Sequence, residues 1–371
     1  MGGAAGVQWY NLLRTMNSFA HEKQNKELKM NNSEPRYTAY NLSREMLETP
    51  GVVRRFKIDG VREIAEAAKG FSAFFLTGEG SSRIFPAKRA MYQNFSRSNP
   101  LWMSTEGSTQ AMEYNLDHSA VFGASNSGKT KELLRLFYQL KDHGHTGFFG
   151  VTANDGTPLV EVSKKAVVLS CGPEQAVAAT KSVMEQALVY HGVFSLIRGE
   201  DTGAFEAGLK ELADAMEEVL GASLGADKYQ GLVEGSMIYF AGRNNGVAEE
   251  LTLKTNEITR KKSSFLEGTY AVHGIEEVMR AGEALVLVDP FEAEEEKFEE
   301  CLVTGAGVVP VAISHRETRF PTIRIPKIAD EFMPYLQMAA GWSLLLEAGL
   351  DLGINLDKPE RARKVGNEFS L

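Results

Sequence analysis

Short apolar runs rich in β-branched and aromatic residues recur along the chain, and each closes on a glycine- or serine-rich turn. They are AFFLT (73–77), AVFGA (120–124), GFFGVT (147–152), AVVLS (166–170), MIYFAG (237–242), ALVLVD (284–289), VVPVAIS (308–314) and TIRIP (322–326). Helical patterns follow them. Strands alternating with helices predict parallel α/β layers.

A shift of 164 residues lays the chain on itself. SAFFLTGEGSS (72–82) falls on SMIYFAGRNNG (236–246), AVFGASN (120–126) on ALVLVDP (284–290), and TGFFGV (146–151) on PVAISH (310–315), without a gap. Two similar parallel-sheet sandwich domains related by internal duplication are expected. The predicted division is a polar tail at 1–37, a first domain at 38–200, a helical linker at 201–223, a second domain at 224–358 and a tail at 359–371. The linker contains GAFEAGLKELADAMEEVL (203–220), an amphipathic helix. HEKQNKELKMNNSEPR has few apolar anchors, so the first tail is expected to be disordered or loosely docked, with Met16 and Met30 as alternative starts.

Composition adds exclusions. A length of 371 residues suits two domains, and 43% hydrophobic with 24% charged residues is ordinary for a globular protein. The net charge of −9 argues against a nucleic-acid partner. Cys171 and Cys301 make no disulfide framework, which points to a reducing cytoplasm. No apolar run of 18 residues or basic-then-apolar leader occurs, so no membrane association is expected. His143 and His145 flank a glycine at a predicted helix end without carboxylate or thiol partners, and no metal or other cofactor is expected.

The two halves differ after their second apolar run. The first has Gly123-Ala-Ser-Asn-Ser-Gly-Lys-Thr130, which fits a Walker A loop at every position. The second has Asp289-Pro290 and then the acidic EAEEEKFEE, which repels phosphate, so one anion site is expected, in the first domain. ALVLVD resembles a Walker B strand, but the repeat assigns it to the other domain. Ser81, Ser82, Ser125, Asn126, Ser127 and Thr130 sit instead at the carboxyl ends of two strands. Hydroxyls, backbone N–H groups and a helix N-terminus there can hold a phosphate monoester without magnesium.

At these residues the chain resembles the double sugar isomerase (SIS) domain family, in particular the isomerase half of glucosamine-6-phosphate synthase. The family's phosphate loop, Ser-Gln-Ser-Gly-Glu-Thr, reads Ser125-Asn126-Ser127-Gly128-Lys129-Thr130 here, and its Gly-Thr-Ser turn reads Gly80-Ser81-Ser82. Its Val-Ala-Ser-Thr-Lys stretch reads Val177-Ala178-Ala179-Thr180-Lys181, with Val177 and Ala179 at sugar-contacting positions. The resemblance spans about residues 40 to 371 and implies SIS, flavodoxin-like domains. Lys129 departs from the usual glutamate, and a Gly-Lys-Thr form occurs in related deglycases.

The resemblance also implies the chemistry. In EELTLKTNEITRK (249–261), Glu250, Lys254 and Glu257 share a helix face, which spacing alone reads as a solvated ion-pair face. The family's Leu-Lys-x-Lys-Glu-Ile-Ser segment makes Glu257 the carrier of the proton between C1 and C2, with Lys254 and Glu250 in support. His273 matches the ring-opening histidine that reaches the other subunit's site, which implies a homodimer; the family lysine before it is Val272 here. Lys364 falls on the lysine that meets the sugar carbonyl. No cysteine precedes Cys171, so an ammonia-supplying glutaminase with a terminal cysteine is not expected. The implied substrate is an open-chain hexose, foremost an amino sugar 6-phosphate. The implied reaction is isomerisation coupled to deamination; plain isomerisation, deglycation, a C6 sulfonate or a non-catalytic sensor are the alternatives.

Overall fold

The structure, a computed structural model, describes Met30 and residues 33–361. It contains two five-stranded sheets, and every strand pairing within them is parallel. The first holds β1 (Ala73–Gly78), β2 (Trp102–Gly107), β3 (Ser119–Ala124), β4 (Phe148–Thr152) and β5 (Lys165–Val168), in the order β2-β1-β3-β4-β5. The second holds β6 (Met237–Gly242), β7 (Lys262–Glu267), β8 (Ala284–Val288), β9 (Val309–Ser314) and β10 (Thr322–Arg324). Read from β7, its order is β7-β6-β8-β9-β10, so the two halves repeat one topology.

Two strands escape the apolar-run reading. β2 (WMSTEG) and β7 (KSSFLE) are edge strands with mostly half-buried or exposed positions. Only strands covered on both faces need continuous apolar sequence. The repeat also has a gap. Phe148 pairs with Val121 and Pro310 with Leu285, so the spacing of 164 between β3 and β8 becomes 162 between β4 and β9. AVVLS and TIRIP are strands over shorter spans than the apolar runs predict.

The seven longest helices among the described residues are α1 (Asn41–Arg55), α2 (Ile84–Phe95), α3 (Lys131–Asp142), α4 (Lys181–Arg198), α5 (Thr202–Gly221), α6 (Val247–Ile258) and α7 (Met333–Asp351). α4 and α7 are buried almost all round, as their nearly continuous apolar sequences require. Asp201 starts α5 by accepting the Gly203 N–H at 2.8 Å. α5 packs on both α1 and α7, so the expected linker is a structural layer joining the halves. The polar tail is docked at its end: Tyr37 is buried and its hydroxyl donates to Glu347 at 2.7 Å, while Arg36 bridges Glu347 and Asp351. No described helix is long and apolar enough to cross a membrane.

Candidate active site

β1 and β3 are neighbours, and their ends meet where Gly78 pairs with Ala124. A Cβ on Gly78 would stand 2.7 Å from the Ala124 carbonyl oxygen, so the close approach needs glycine. The Gly80–Ser82 turn and the 125–130 loop therefore leave adjacent strand ends, the usual ligand edge of an open parallel sheet.

The loop is held by its own hydroxyls. Ser125 Oγ accepts the Gly128 N–H at 3.1 Å and bonds Thr130 Oγ1 at 2.7 Å; Ser127 Oγ accepts the Lys129 N–H at 3.2 Å. Gly128 has φ +68°, and a Cβ there would lie 2.2 Å from Thr157 Oγ1. Thr130 is the residue before α3, so the helix's positive end stands at the loop. Lys129 is exposed. Asp289 follows β8 in the other sheet and pairs with Arg243 at 2.8 Å, so it cannot serve this loop as a Walker aspartate.

α6 brings the second domain to this edge. Gly246 (φ +87°) precedes it, in a place where a Cβ would meet the Ile84 carbonyl oxygen at 2.8 Å. The face of α6 carrying Glu250, Lys254 and Glu257 is not solvated. Lys254 is 1% exposed and Glu250 is fully buried. Lys254 Nζ donates to Ser81 Oγ at 2.7 Å and to Glu257 Oε2 at 2.8 Å, and lies 3.2 Å from Glu250 Oε1. Burial pulls the Lys254 ammonium down, but Glu257 and Glu250 outweigh it and hold its pKa above the ordinary lysine value. Burial raises the Glu250 carboxyl, with Lys254 and Ser81 opposing. Glu257 keeps a side chain 24% exposed, and Lys254 fixes one of its oxygens. The arrangement is a partly exposed carboxylate, oriented by a buried ammonium that also grips the first domain's serine turn.

The third segment, 170–180, is ordered by carboxylates. Glu185 accepts the N–H groups of Ser170 and Cys171, each at 2.8 Å. Glu174 accepts the Thr180 N–H at 2.8 Å, the Asn126 amide at 3.1 Å and the Ser182 hydroxyl. It thereby ties this segment to the 125–130 loop. Ala176 and Ala178 are buried while Val177 and Ala179 are half-buried, so the latter two alternate toward the other side. Gln186 on α4 donates to Ser82 Oγ at 3.4 Å. Reasoning from sequence missed Glu174 and Gln186. The available signal was weak: two Glu-Gln pairs, Glu174-Gln175 and Glu185-Gln186, each among small or apolar residues. Glu174→Ala should leave donors on Asn126, Thr180 and Ser182 without their acceptor, at a cost of about 1–3 kcal/mol or more. Denaturant unfolding would measure it, and an unchanged midpoint would refute the role.

Two candidates lie elsewhere. His273 is exposed on the turn after Tyr270–Val272, and no described bond joins it to the Lys254 cluster. Lys364 lies outside the described residues. His145 is a packing residue: its Nδ1 accepts the Gly147 N–H at 3.1 Å and its Nε2 lies 2.9 Å from the Leu116 carbonyl oxygen. Among the described residues no group of three His, Cys, Asp or Glu could hold a metal ion.

Comparison with known protein structures places this two-sheet arrangement. The tagatose-6-phosphate ketose/aldose isomerase of Escherichia coli superposes with a TM-score of 0.75 at 18% identity, over 88% of this chain and 97% of that one. The fold is the double SIS fold. The C-terminal domain of glucosamine-fructose-6-phosphate aminotransferase from Francisella tularensis matches at TM-score 0.71 and 17% identity, over 86% and 98%. Glucosamine-6-phosphate deaminase of Thermotoga maritima matches at 0.67 and 18%, over 88% and 99%. In sequence, the chain resembles glutamine–fructose-6-phosphate aminotransferases. It is 23% identical to that of Methanocaldococcus jannaschii over 344 residues and 24% identical to that of Pyrobaculum aerophilum over 320. These alignments cover 86% and 82% of the chain but only 30% and 53% of the relatives, so it spans about a third to a half of their length. No family model matches the chain.

Proposed function

We propose that this chain is an enzyme that moves a proton between C1 and C2 of an open-chain hexose with an anionic group at C6, foremost an amino sugar 6-phosphate, and that water then hydrolyses the imine left at C2 to give the ketose and ammonia. The observation carrying this reading is the Lys254 bridge, which joins the partly exposed Glu257 to the Ser81 turn across the two domains. Removal of a proton alpha to a carbonyl and its return to the adjacent carbon needs one carboxylate acting as base and then acid. Glu257 fills that role. Ser127 and Thr130, with the start of α3, hold the C6 anion, and Val177 and Ala179 flank the sugar. His273, facing outward, serves the site of a second copy in a homodimer, and Lys364 meets the carbonyl. The structural relatives support the substrate class: their names include isomerases and a deaminase of sugar 6-phosphates.

The test is ketose formation and ammonia release over a panel of glucosamine 6-phosphate, glucose 6-phosphate, a sugar–amine adduct 6-phosphate and a 6-sulfo sugar. Ketose with ammonia supports deamination. Ketose alone reduces the activity to isomerisation, and amine release from the adduct marks a deglycase. Binding without turnover of any member would leave a sensor and overturn the enzyme reading.

The anion loop makes its own prediction. Ser127→Ala and Thr130→Ala should each weaken sugar-phosphate binding by about 1–3 kcal/mol. Thr130→Ala should weaken it more, because it also frees Ser125. Lys129→Ala should have the smallest effect. Calorimetric titration checks the order, and tight magnesium-dependent ATP binding lost in Lys129→Ala would refute the loop's assignment.

A further inference from the structure

The second domain has its own ligand edge, where Arg243, Asn245, Asp289 and His315 follow β6, β8 and β9. By the repeat this is the counterpart of the serine-lined edge of the first domain. A cavity of about 510 Å³ opens there, within the ~300–1,000 Å³ usual for small-molecule sites. α2 of the first domain with Arg89, the turn after it with Arg97, and the start of α7 with Met333 and Gln337 complete its walls.

The charges in this cavity do not balance. Four permanent cations line it: Arg89, Arg97, Arg243 and Lys327. Its three carboxylates all contact other cations: Asp289 meets Arg243 at 2.8 Å, Asp330 meets Lys327, and Glu331 meets Arg97 at 3.1 Å, which also holds Glu200 at 3.3 Å. Arg89 is left. It is 1% exposed, and no described carboxylate pairs with it. Its Nη2 donates to Gln93 Oε1 at 2.6 Å and to the Glu331 carbonyl oxygen at 3.1 Å, and stands 2.9 Å from His191 Nδ1. Its Nε and Nη1 are buried without a hydrogen-bond partner, as is Gln337 Oε1. A buried cation with two unused donor nitrogens is costly unless an anion meets it. The positive end of the 19-residue α7 adds to the demand.

We propose that this cavity is a second anion site, which takes a phosphomonoester metabolite with the phosphate toward Arg89 and the rim cations Arg243 and Lys327, and a hydroxyl donating to Gln337. The acidic run after Asp289 does not repel such a ligand. Arg243 neutralises Asp289, and Arg316 and Arg319 engage Glu295 and Glu299 away from the cavity. The duplication thus keeps an anion-binding edge in both halves, built from serine hydroxyls in one and from guanidinium groups in the other.

The experiment is calorimetric titration of the full chain with inorganic phosphate and, separately, with glucose 6-phosphate. The background is Ser127→Ala/Thr130→Ala, which cripples the first-domain loop. One saturable site per chain is expected to remain. Adding Arg89→Met, or Lys327→Glu at the half-exposed rim, should weaken it by about ten-fold or more. Lys327→Glu carries the test if Arg89→Met does not fold. Loss of all saturable binding in the crippled background, or rim and wall substitutions without effect, would overturn the proposal. Neither result depends on whether Glu257 catalyses a reaction.

Discussion

Glu257→Gln is expected to lose nearly all proton transfer while keeping its affinity for sugar phosphate. Glutamine matches the shape of the side chain and can still accept from Lys254 through its carbonyl oxygen, so α6 should stay docked on the Ser81 turn. It cannot take the proton from C1 or C2, and a positioned base contributes roughly 10²–10⁴ in rate. Affinity should survive because the C6 anion is assigned to the 125–130 loop, which shares no described bond with Glu257. Solvent deuterium exchange at C2 of the bound sugar, measured beside binding, separates these effects. Exchange at the native rate would remove Glu257 from the mechanism. Affinity that collapses together with exchange would show that the base helix and the anion loop are not separate parts.

Lys254→Met should cost about 3–5 kcal/mol of stability, because it leaves the fully buried Glu250 carboxylate without its counter-charge. The loss should depend on pH in a defined direction. Burial already raises the Glu250 carboxyl above its ordinary value, and Lys254 is the main group opposing that shift. Without Lys254 the native state binds a proton over a window where the unfolded chain, with carboxyls near ~4.3, does not. Stability of the variant should therefore fall as pH rises through that window and be lowest above the native carboxyl's raised value. Lys254→Met/Glu250→Leu should recover most of the stability near neutral pH, since neither buried charge remains. Denaturant midpoints across pH check both statements. A pH-independent loss, or a double variant no more stable than the single one, would mean that Lys254 matters through packing and not through its charge.

The duplicated α/β plan was legible because buried strands leave a continuous apolar run that no surface pressure disguises. β1, β3, β4, β6, β8 and β9 are of this kind. β2 and β7 were not legible, because an edge strand needs only half a covered face. The 125–130 loop was readable from its glycine, hydroxyl residues and following helix, all local features. Nothing local told a solvated Glu250-Lys254-Glu257 face from a buried one: the i, i+4 and i, i+3 spacing is the same in both.

What the sequence determined by itself is therefore the set of layers, their repetition and the glycine- and hydroxyl-rich form of one loop ahead of a helix, since each depends on contacts within a short stretch of chain. Tertiary structure alone decided that Lys254 reaches Ser81 from the other domain, that Glu174 ties two segments together, and that Arg89 lines a cavity with no described carboxylate in contact with it. Those facts depend on which distant groups share a low-dielectric space. A buried charge takes its partners, its pKa and its role from that space and not from its neighbours in sequence.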